Sequence, residues 1–244
     1  NQAEPAPLEI AAGAIESFVS WAHRESKWHV ASQPLWTVVS DATTRRLLGA
    51  GVAARLTEAG LRVEEVSLER AEPAADAAAV LELLTASGEP DSRVYCACGS
   101  GTITDITRFV AHRTGRPFVS LPTAPSVDGY TSSGAPMILQ GAKKTVPADV
   151  PTALFADLTI LGAAPPAMIA AGFGDIVAKY SALADWRLGE LLWGEARREE
   201  ISRRVEAARE RCAGVADSIG RGELDGIAEL FGADDGIALA IKAR

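Results

Sequence analysis

The stretch VYCACGSGTITDITRFVAHRTG, residues 94–115, constrains the fold more than any other part of the chain. A short apolar run meets two closely spaced glycines, then a longer segment with helical spacing, then a terminal glycine. That order spells strand, tight turn, helix and stop. The scheme recurs along the chain. Leu35 to Val39 form an apolar run ending at Ser40-Asp41, followed by a helix with Leu47, Leu48 and Val52 on one face and Gly60 as its stop. LRVEEVSL (61–68) reads as a strand and PAADAAAVLELLTASG (73–88) as a helix closed by Gly88. PFVSLPTAPS (117–126) is a strand running into a loop, and TALFADL (152–158) is the last strand. Strands that alternate with helices need right-handed crossovers, and therefore a parallel sheet. From about residue 160 only helical patterns appear, beginning APPAMIAAGFGDIVAKYSALADWRLGELLW. The expectation is an α/β nucleotide-binding domain over 1–160 and an all-helical domain over 161–244, with a cleft between them. Residues 196–220 place Ile201, Val205, Ala208 and Cys212 on one stripe of an ordinary amphipathic helix with no catalytic role.

Bulk properties narrow the function classes. A net charge of −8 and a pI near 5.0 argue against a nucleic-acid surface, which wants a basic patch. They leave room for a small anionic ligand at a local positive site. Cys96 and Cys98 alternate on one strand and Cys212 lies far away, so all three read as reduced core thiols, pointing to a cytoplasmic protein. No apolar run approaches the ~18 residues of a membrane span. The acidic start NQAEPAPLEI does not read as a signal peptide.

Three segments carry candidate chemistry. CGSGTITD (98–105) follows a strand and opens a helix, so its backbone N–H groups form either a phosphate cradle or a tight structural turn. Gly99 and Gly101 fill the first two places of a dinucleotide fingerprint, but Thr104 stands in the third. No acid stands ~20 residues downstream to hold a ribose. LPTAPSVDGYTSSGAP (121–136) gathers hydroxyls and Asp128 where a strand ends, the usual ligand side of an open sheet, although turn-formers also cluster in plain surface turns. Lys143-Lys144 is a paired positive site suited to a phosphate or to a solvated hairpin. The third segment, AAGFGDIVAKY (170–180), puts two glycines and Asp175 in a helical stretch. Each helical glycine costs roughly 1 kcal/mol. Asp175 is then either a cap at a helix start or a ligand to a metal ion set against the helix.

Taken together, GSGTITDITRFVAHRTGRPFVSLPTAPSVDGYTSSGAP, KKTVPADVP, FADLTIL and AAGFGDIVAKYSALADWRLGE resemble the sn-glycerol-1-phosphate dehydrogenase family. That family belongs to the dehydroquinate synthase-like, group III metal-dependent alcohol dehydrogenase superfamily. The resemblance covers roughly 94–195 closely and 1–93 in architecture only. It implies reduction of dihydroxyacetone phosphate to sn-glycerol 1-phosphate by NADH or NADPH, aided by one divalent metal, zinc or nickel, and a place in phospholipid biosynthesis. Under it, Gly99 and the run Gly101, Thr102, Ile103, Thr104 and Asp105 match the nucleotide turn. Thr123, Ala124, Pro125 and Ser126 match a second cofactor segment, and Ser132 a further cofactor contact. Asp128 matches a substrate-binding aspartate. Asp175 matches the carboxylate that binds metal and substrate at the catalytic centre. The nicotinamide would lie in the cleft between the halves.

The family takes two more metal ligands, both histidines, from the helical half. The histidines here are His23, His29 and His112, none at a matching place. The helical half therefore reads as incomplete, with a histidine-bearing segment expected in the parent protein; otherwise metal chemistry is lost in a naturally short chain. The apolar face of the helical half is compatible with a homo-oligomer. Two other readings stand beside the dehydrogenase: a dehydroquinate-synthase-like cyclase, and a non-catalytic nucleotide-binding protein.

Overall fold

The computed structural model describes residues 7–25, 33–70, 73–87 and 92–242, with side chains as far as 233. The chain divides into two compact units. The first comprises Asn1–Thr123 and Ser132–Leu158, the second Ala124–Thr131 and Thr159–Arg244.

The first unit is built on a six-stranded sheet in which every pairing is parallel. Its strands are β1 (Leu8–Ala11), β2 (Leu35–Asp41), β3 (Arg62–Leu68), β4 (Arg93–Cys98), β5 (Phe118–Leu121) and β8 (Ala153–Asp157), in the order β1-β8-β5-β4-β2-β3. An antiparallel hairpin, β6 (Gly134–Leu139) with β7 (Ala142–Pro147), stands apart from the sheet. The strands β4, β5 and β8 are buried at every position, as suits the mainly apolar strands of a parallel sheet. β3 at one edge is exposed or half-buried from Arg62 to Glu65 and buries only Val66 and Leu68.

Helix α1 (Ala14–Glu25) sets Phe18 and Trp21 against Trp36 of β2 and Phe155 of β8, with ring centroids 5.5–6.2 Å apart. The strand β1 and α1 precede the first unit legible in the sequence. Helices α4 (Ala77–Ala86) and α5 (Gly101–Thr114) pack with Met137 of β6 around Val39, Leu68, Tyr95 and Phe118. Gly115 ends α5 in the left-handed conformation, φ +64°, as its place in the sequence predicts. Gly88, the expected stop of α4, lies outside the described residues.

One helix departs from its expected face. α2 (Ala42–Thr44) and α3 (Ala50–Glu58) are joined through a π-helical turn, Arg45–Gly49. The wider turn rotates Leu47 outward to 51% exposure, while Leu48 and Val52 stay buried.

The second unit is helical. α6 (Leu158–Gly162) leads into it, followed by α7 (Pro166–Trp193), α8 (Glu199–Gly214), α9 (Ala216–Gly220) and α10 (Leu224–Lys242). Pro166 opens α7 and Gly194 closes it in the left-handed conformation. The stripe Ile201, Val205, Ala208 and Cys212 is buried as expected, but the helix breaks at Val215 into α8 and α9. Gly226 lets α10 pack closely on α9, since a Cβ there would lie 2.6 Å from the Ile219 nitrogen. Tyr130, from the loop 124–131, stacks on Phe231 of α10 at 5.2 Å and donates its hydroxyl proton to the Ala124 carbonyl at 2.5 Å.

α7 is the longest helix of the second unit. By length and composition this helix is able to cross a membrane, with mean hydropathy 1.2 over the relevant window. Asp175, Lys179, Asp185 and Arg187 lie along its length, however, and break it into shorter apolar runs.

Candidate functional site

In the first unit the strand order reverses between β2 and β4: the chain moves outward from β2 to β3, then returns to the far side of β2. Ligands of open parallel sheets bind beyond the carboxyl ends of strands at such a switch point. The glycine turn sits there. Ser100 is the cap residue of α5 but makes no side-chain capping bond, and the first helical bond runs from the Thr104 nitrogen to the Ser100 carbonyl at 3.1 Å. The N–H groups of Gly101, Thr102 and Ile103 thus face outward from the helix start with no intrahelical partner. That is a site for an anion.

The two glycines of the turn differ. A Cβ on Gly99 would meet the Ile103 side chain at 2.6 Å, so Gly99 is required by internal packing. The strand ends are laced together by Gly99 N–H to the Leu121 carbonyl (3.2 Å) and Thr123 N–H to the Gly99 carbonyl (3.3 Å). Ile103 and Thr104 are each 1% exposed, and the Thr104 hydroxyl is enclosed without a hydrogen-bond partner among the described residues. Ile103 can present its backbone N–H to a ligand, whereas the Thr104 N–H is already bonded to Ser100; both side chains belong to the core.

Asp105 is held 3.0 Å from the buried Arg108 guanidinium, which also donates to the Gly134 carbonyl at 2.9 Å. Burial pushes the Asp105 carboxyl up to about 7, against the opposing pull of Arg108 and Lys143. Ser132 accepts from the Gly134 N–H at 3.0 Å and so closes the turn into β6. Lys144 and Lys143 pair with Met137 and Ile138 across the hairpin on an exposed strand.

The carboxylate at this switch point lies upstream of the turn in the chain. Asp41 ends β2, the neighbour of β4 on the switch side. Its Oδ1 accepts from the backbone N–H groups of Thr43 and Thr44, both at 2.8 Å, while Thr44 Oγ1 accepts from the Asp41 N–H at 3.0 Å. The sequence signal was present in the ending Val39-Ser40-Asp41. It was missed because strand order, which makes an earlier strand the neighbour, cannot be read from chain order.

In the second unit, Ala124, Pro125, Ser126 and Asp128 lie on the loop that meets α7. A Cβ on Gly172 would fall 1.8 Å from the Pro125 carbonyl oxygen, so this glycine lets the loop backbone touch the helix. A Cβ on Gly174 would meet nothing within 4 Å. Asp175 lies well inside α7 and caps nothing. Its Oδ2 accepts from the Asp128 N–H at 3.0 Å. Lys179, one turn on, reaches Asp128 Oδ2 at 2.5 Å, the Asp175 carbonyl at 3.0 Å and Asp175 Oδ1 at 3.5 Å. Burial raises the Asp128 pKa; the Lys179 ammonium works against that and the Asp175 charge adds to it. Sequence reading named both aspartates and missed Lys179, which stands in the i+4 position from Asp175.

The donors among the described residues do not by themselves make a divalent-metal site. No group of three or more His, Cys, Asp or Glu side chains suited to an ion occurs among the described residues, whereas a catalytic ion of this kind takes three protein ligands. Asp175 and Asp128 are already bonded to an ammonium. His23 lies in the last turn of α1, His112 pairs through Nδ1 with Asp149 at 2.8 Å, and His29 is outside the described residues.

Residues 13–165 match the family described as iron-containing alcohol dehydrogenase. The chain is 47% identical over 197 residues to a glycerol-1-phosphate dehydrogenase [NAD(P)+] of Bacillus licheniformis, covering 80% of this chain and 49% of that protein. It is 42% identical over 185 residues to the protein of the same description from Bacillus subtilis, covering 75% and 45% respectively. The chain therefore spans about half the length of the curated relatives it matches. A probable glycerol dehydrogenase from Sinorhizobium meliloti shares the fold with TM-score 0.77 at 18% identity, over 96% of this chain and 65% of that one. Maleylacetate reductase from Agrobacterium tumefaciens does so with TM-score 0.68 at 18% identity, over 98% and 64%. On the family match and these relatives, the chain belongs to the iron-containing alcohol dehydrogenase family.

Proposed function

We propose that the protein containing this chain is an NAD(P)-dependent oxidoreductase that reduces dihydroxyacetone phosphate to sn-glycerol 1-phosphate. The observation that carries the nucleotide half is the outward-facing N–H row of Gly101–Ile103 at the switch point between β2 and β4. In this reading the row receives the diphosphate, and the second carboxylate oxygen of Asp41 accepts from a ribose hydroxyl. Thr123 and Ser132 line the same unit, and Lys143 adds positive charge near Asp105. The substrate class comes from the relatives, which are described as glycerol-1-phosphate dehydrogenases.

Asp128 and Asp175 are the substrate groups. Asp128 is placed to accept a hydrogen bond from a substrate hydroxyl, which orients the ketone carbon. A bound dihydronicotinamide would supply the hydride for that carbon, and the proton for the oxygen would come from solvent water. The family uses a divalent ion; Asp175 would be one of its ligands, and the described residues do not supply the rest. No step here is routed through it.

The test follows nicotinamide absorbance when purified holoenzyme meets dihydroxyacetone phosphate with NADH or NADPH. Stoichiometric oxidation with chiral analysis giving sn-glycerol 1-phosphate is expected. Nucleotide binding without turnover would replace this reading with that of a non-catalytic nucleotide-binding protein, and failure to bind nucleotide would end both.

A further inference from the structure

The ammonium of Lys179 is the most enclosed charge of the cluster. Its side chain is 16% exposed, against 26% for Asp128 and 37% for Asp175. An ammonium carries three protons. Each has an oxygen to face: Asp128 Oδ2 at 2.5 Å, the Asp175 carbonyl at 3.0 Å and Asp175 Oδ1 at 3.5 Å. Nothing is left over for a ligand phosphate unless one of these contacts breaks.

The contacts around it form a latch with two bonds of opposite polarity. The Asp128 N–H donates to the α7 carboxylate Asp175 Oδ2, while the Asp128 carboxylate accepts from the α7 ammonium. A third contact, the Pro125 carbonyl lying over Gly172, brings loop and helix together one turn earlier. Backbone and side chain of Asp128 are thereby tied to the same helix, so the direction of its carboxylate is set by α7 and not by the loop alone.

We infer that Lys179 is a positioning residue, which aims the Asp128 carboxylate at the substrate hydroxyl and does not itself bind the substrate phosphate. This rests on the reading of Asp128 given under Proposed function.

Lys179→Met keeps most of the stem and removes the charge; Lys179→Arg keeps the charge. In the holoenzyme, Lys179→Met is expected to raise KM for dihydroxyacetone phosphate about tenfold or more, the loss of one charged hydrogen bond. The nucleotide dissociation constant should stay within about twofold, since the latch lies wholly in the second unit. Lys179→Arg should recover part of the KM. Inhibition by inorganic phosphate should be unchanged in Lys179→Met, whereas a weakened phosphate constant would assign Lys179 to the phosphate and overturn the inference. In the Asp128→Asn background, Lys179→Met should add little further change in KM or in the denaturation midpoint. Additive effects would overturn the inference as well. If the unaltered holoenzyme shows no turnover, the functional reading fails by itself, and the denaturation cycle of Lys179 and Asp128 still decides whether the latch exists.

Discussion

Gly172 and Gly174 sit two residues apart in one helix for different reasons. The Pro125 carbonyl tolerates no side chain at position 172, so Gly172→Ala should cost about 3 kcal/mol or more, read as a fall in chemical-denaturation midpoint. Gly174 faces open space, so Gly174→Ala should leave stability unchanged or raise it by up to ~1 kcal/mol through helix propensity. Equal losses at the two positions would show that the loop does not rest on α7 as described. Asp105 yields a pH prediction. Its carboxyl is raised from 3.8 to about 7 by burial, so the fold favours the neutral form. That contribution is fully present below about pH 3.8 and lost as pH rises through about 7. Asp105→Asn, neutral throughout, should flatten the fall in melting temperature between those values, and an unchanged slope would contradict the assignment. Of these residues, Asp105, Asp128 and Asp175 were legible from their neighbours in sequence. Lys179 and Asp41 were not, because a partner one helical turn or one strand away gains meaning only when its neighbour in space is known.

At the scale of elements, strand β4, its glycine turn and α5 were readable because each boundary is set locally. A β-rich apolar run, two glycines and a left-handed terminal glycine leave few other conformations. The role of the glycines was less readable. Gly99 answers to Ile103, so the position that bears on a ligand is Gly101 at the helix start. Gly101→Val is expected to weaken NAD(P)H binding by about tenfold or more, measured by nicotinamide fluorescence, by placing a branched side chain beside the N–H row. Affinity equal to that of the unaltered protein would move the diphosphate away from this turn. The helix after β2 was legible in existence and misjudged in facing. A π-helical turn inserts an extra residue per turn locally, and Leu47 swings out of the expected stripe. Periodicity assumes a constant pitch, so it cannot register such an insertion.

At the scale of the molecule, burial is unevenly shared. β4 and β5 are buried at every position, whereas Val177, Tyr180, Leu188, Leu191, Leu192 and Trp193 of α7 are exposed at 45–77%. Hydrogen exchange should accordingly be slowest in β4 and β5 and faster along the C-terminal half of α7. The reverse order would mean that the α7 surface is covered in solution.

The sequence by itself determined the parallel α/β unit, its succession of strands and helices, the helical character of the second unit and the polar segments where strands end. Those follow from local periodicity, glycine placement and the handedness of crossovers, all properties of neighbours along the chain. Only the tertiary structure decided the strand order that sets Asp41 beside the glycine turn. It alone assigned residues 124–131 to the helical unit and closed the latch of Asp128, Asp175 and Lys179. Residues 47 apart in the chain meet there because the backbone of one element fits a missing side chain on another, and no local pattern encodes that contact.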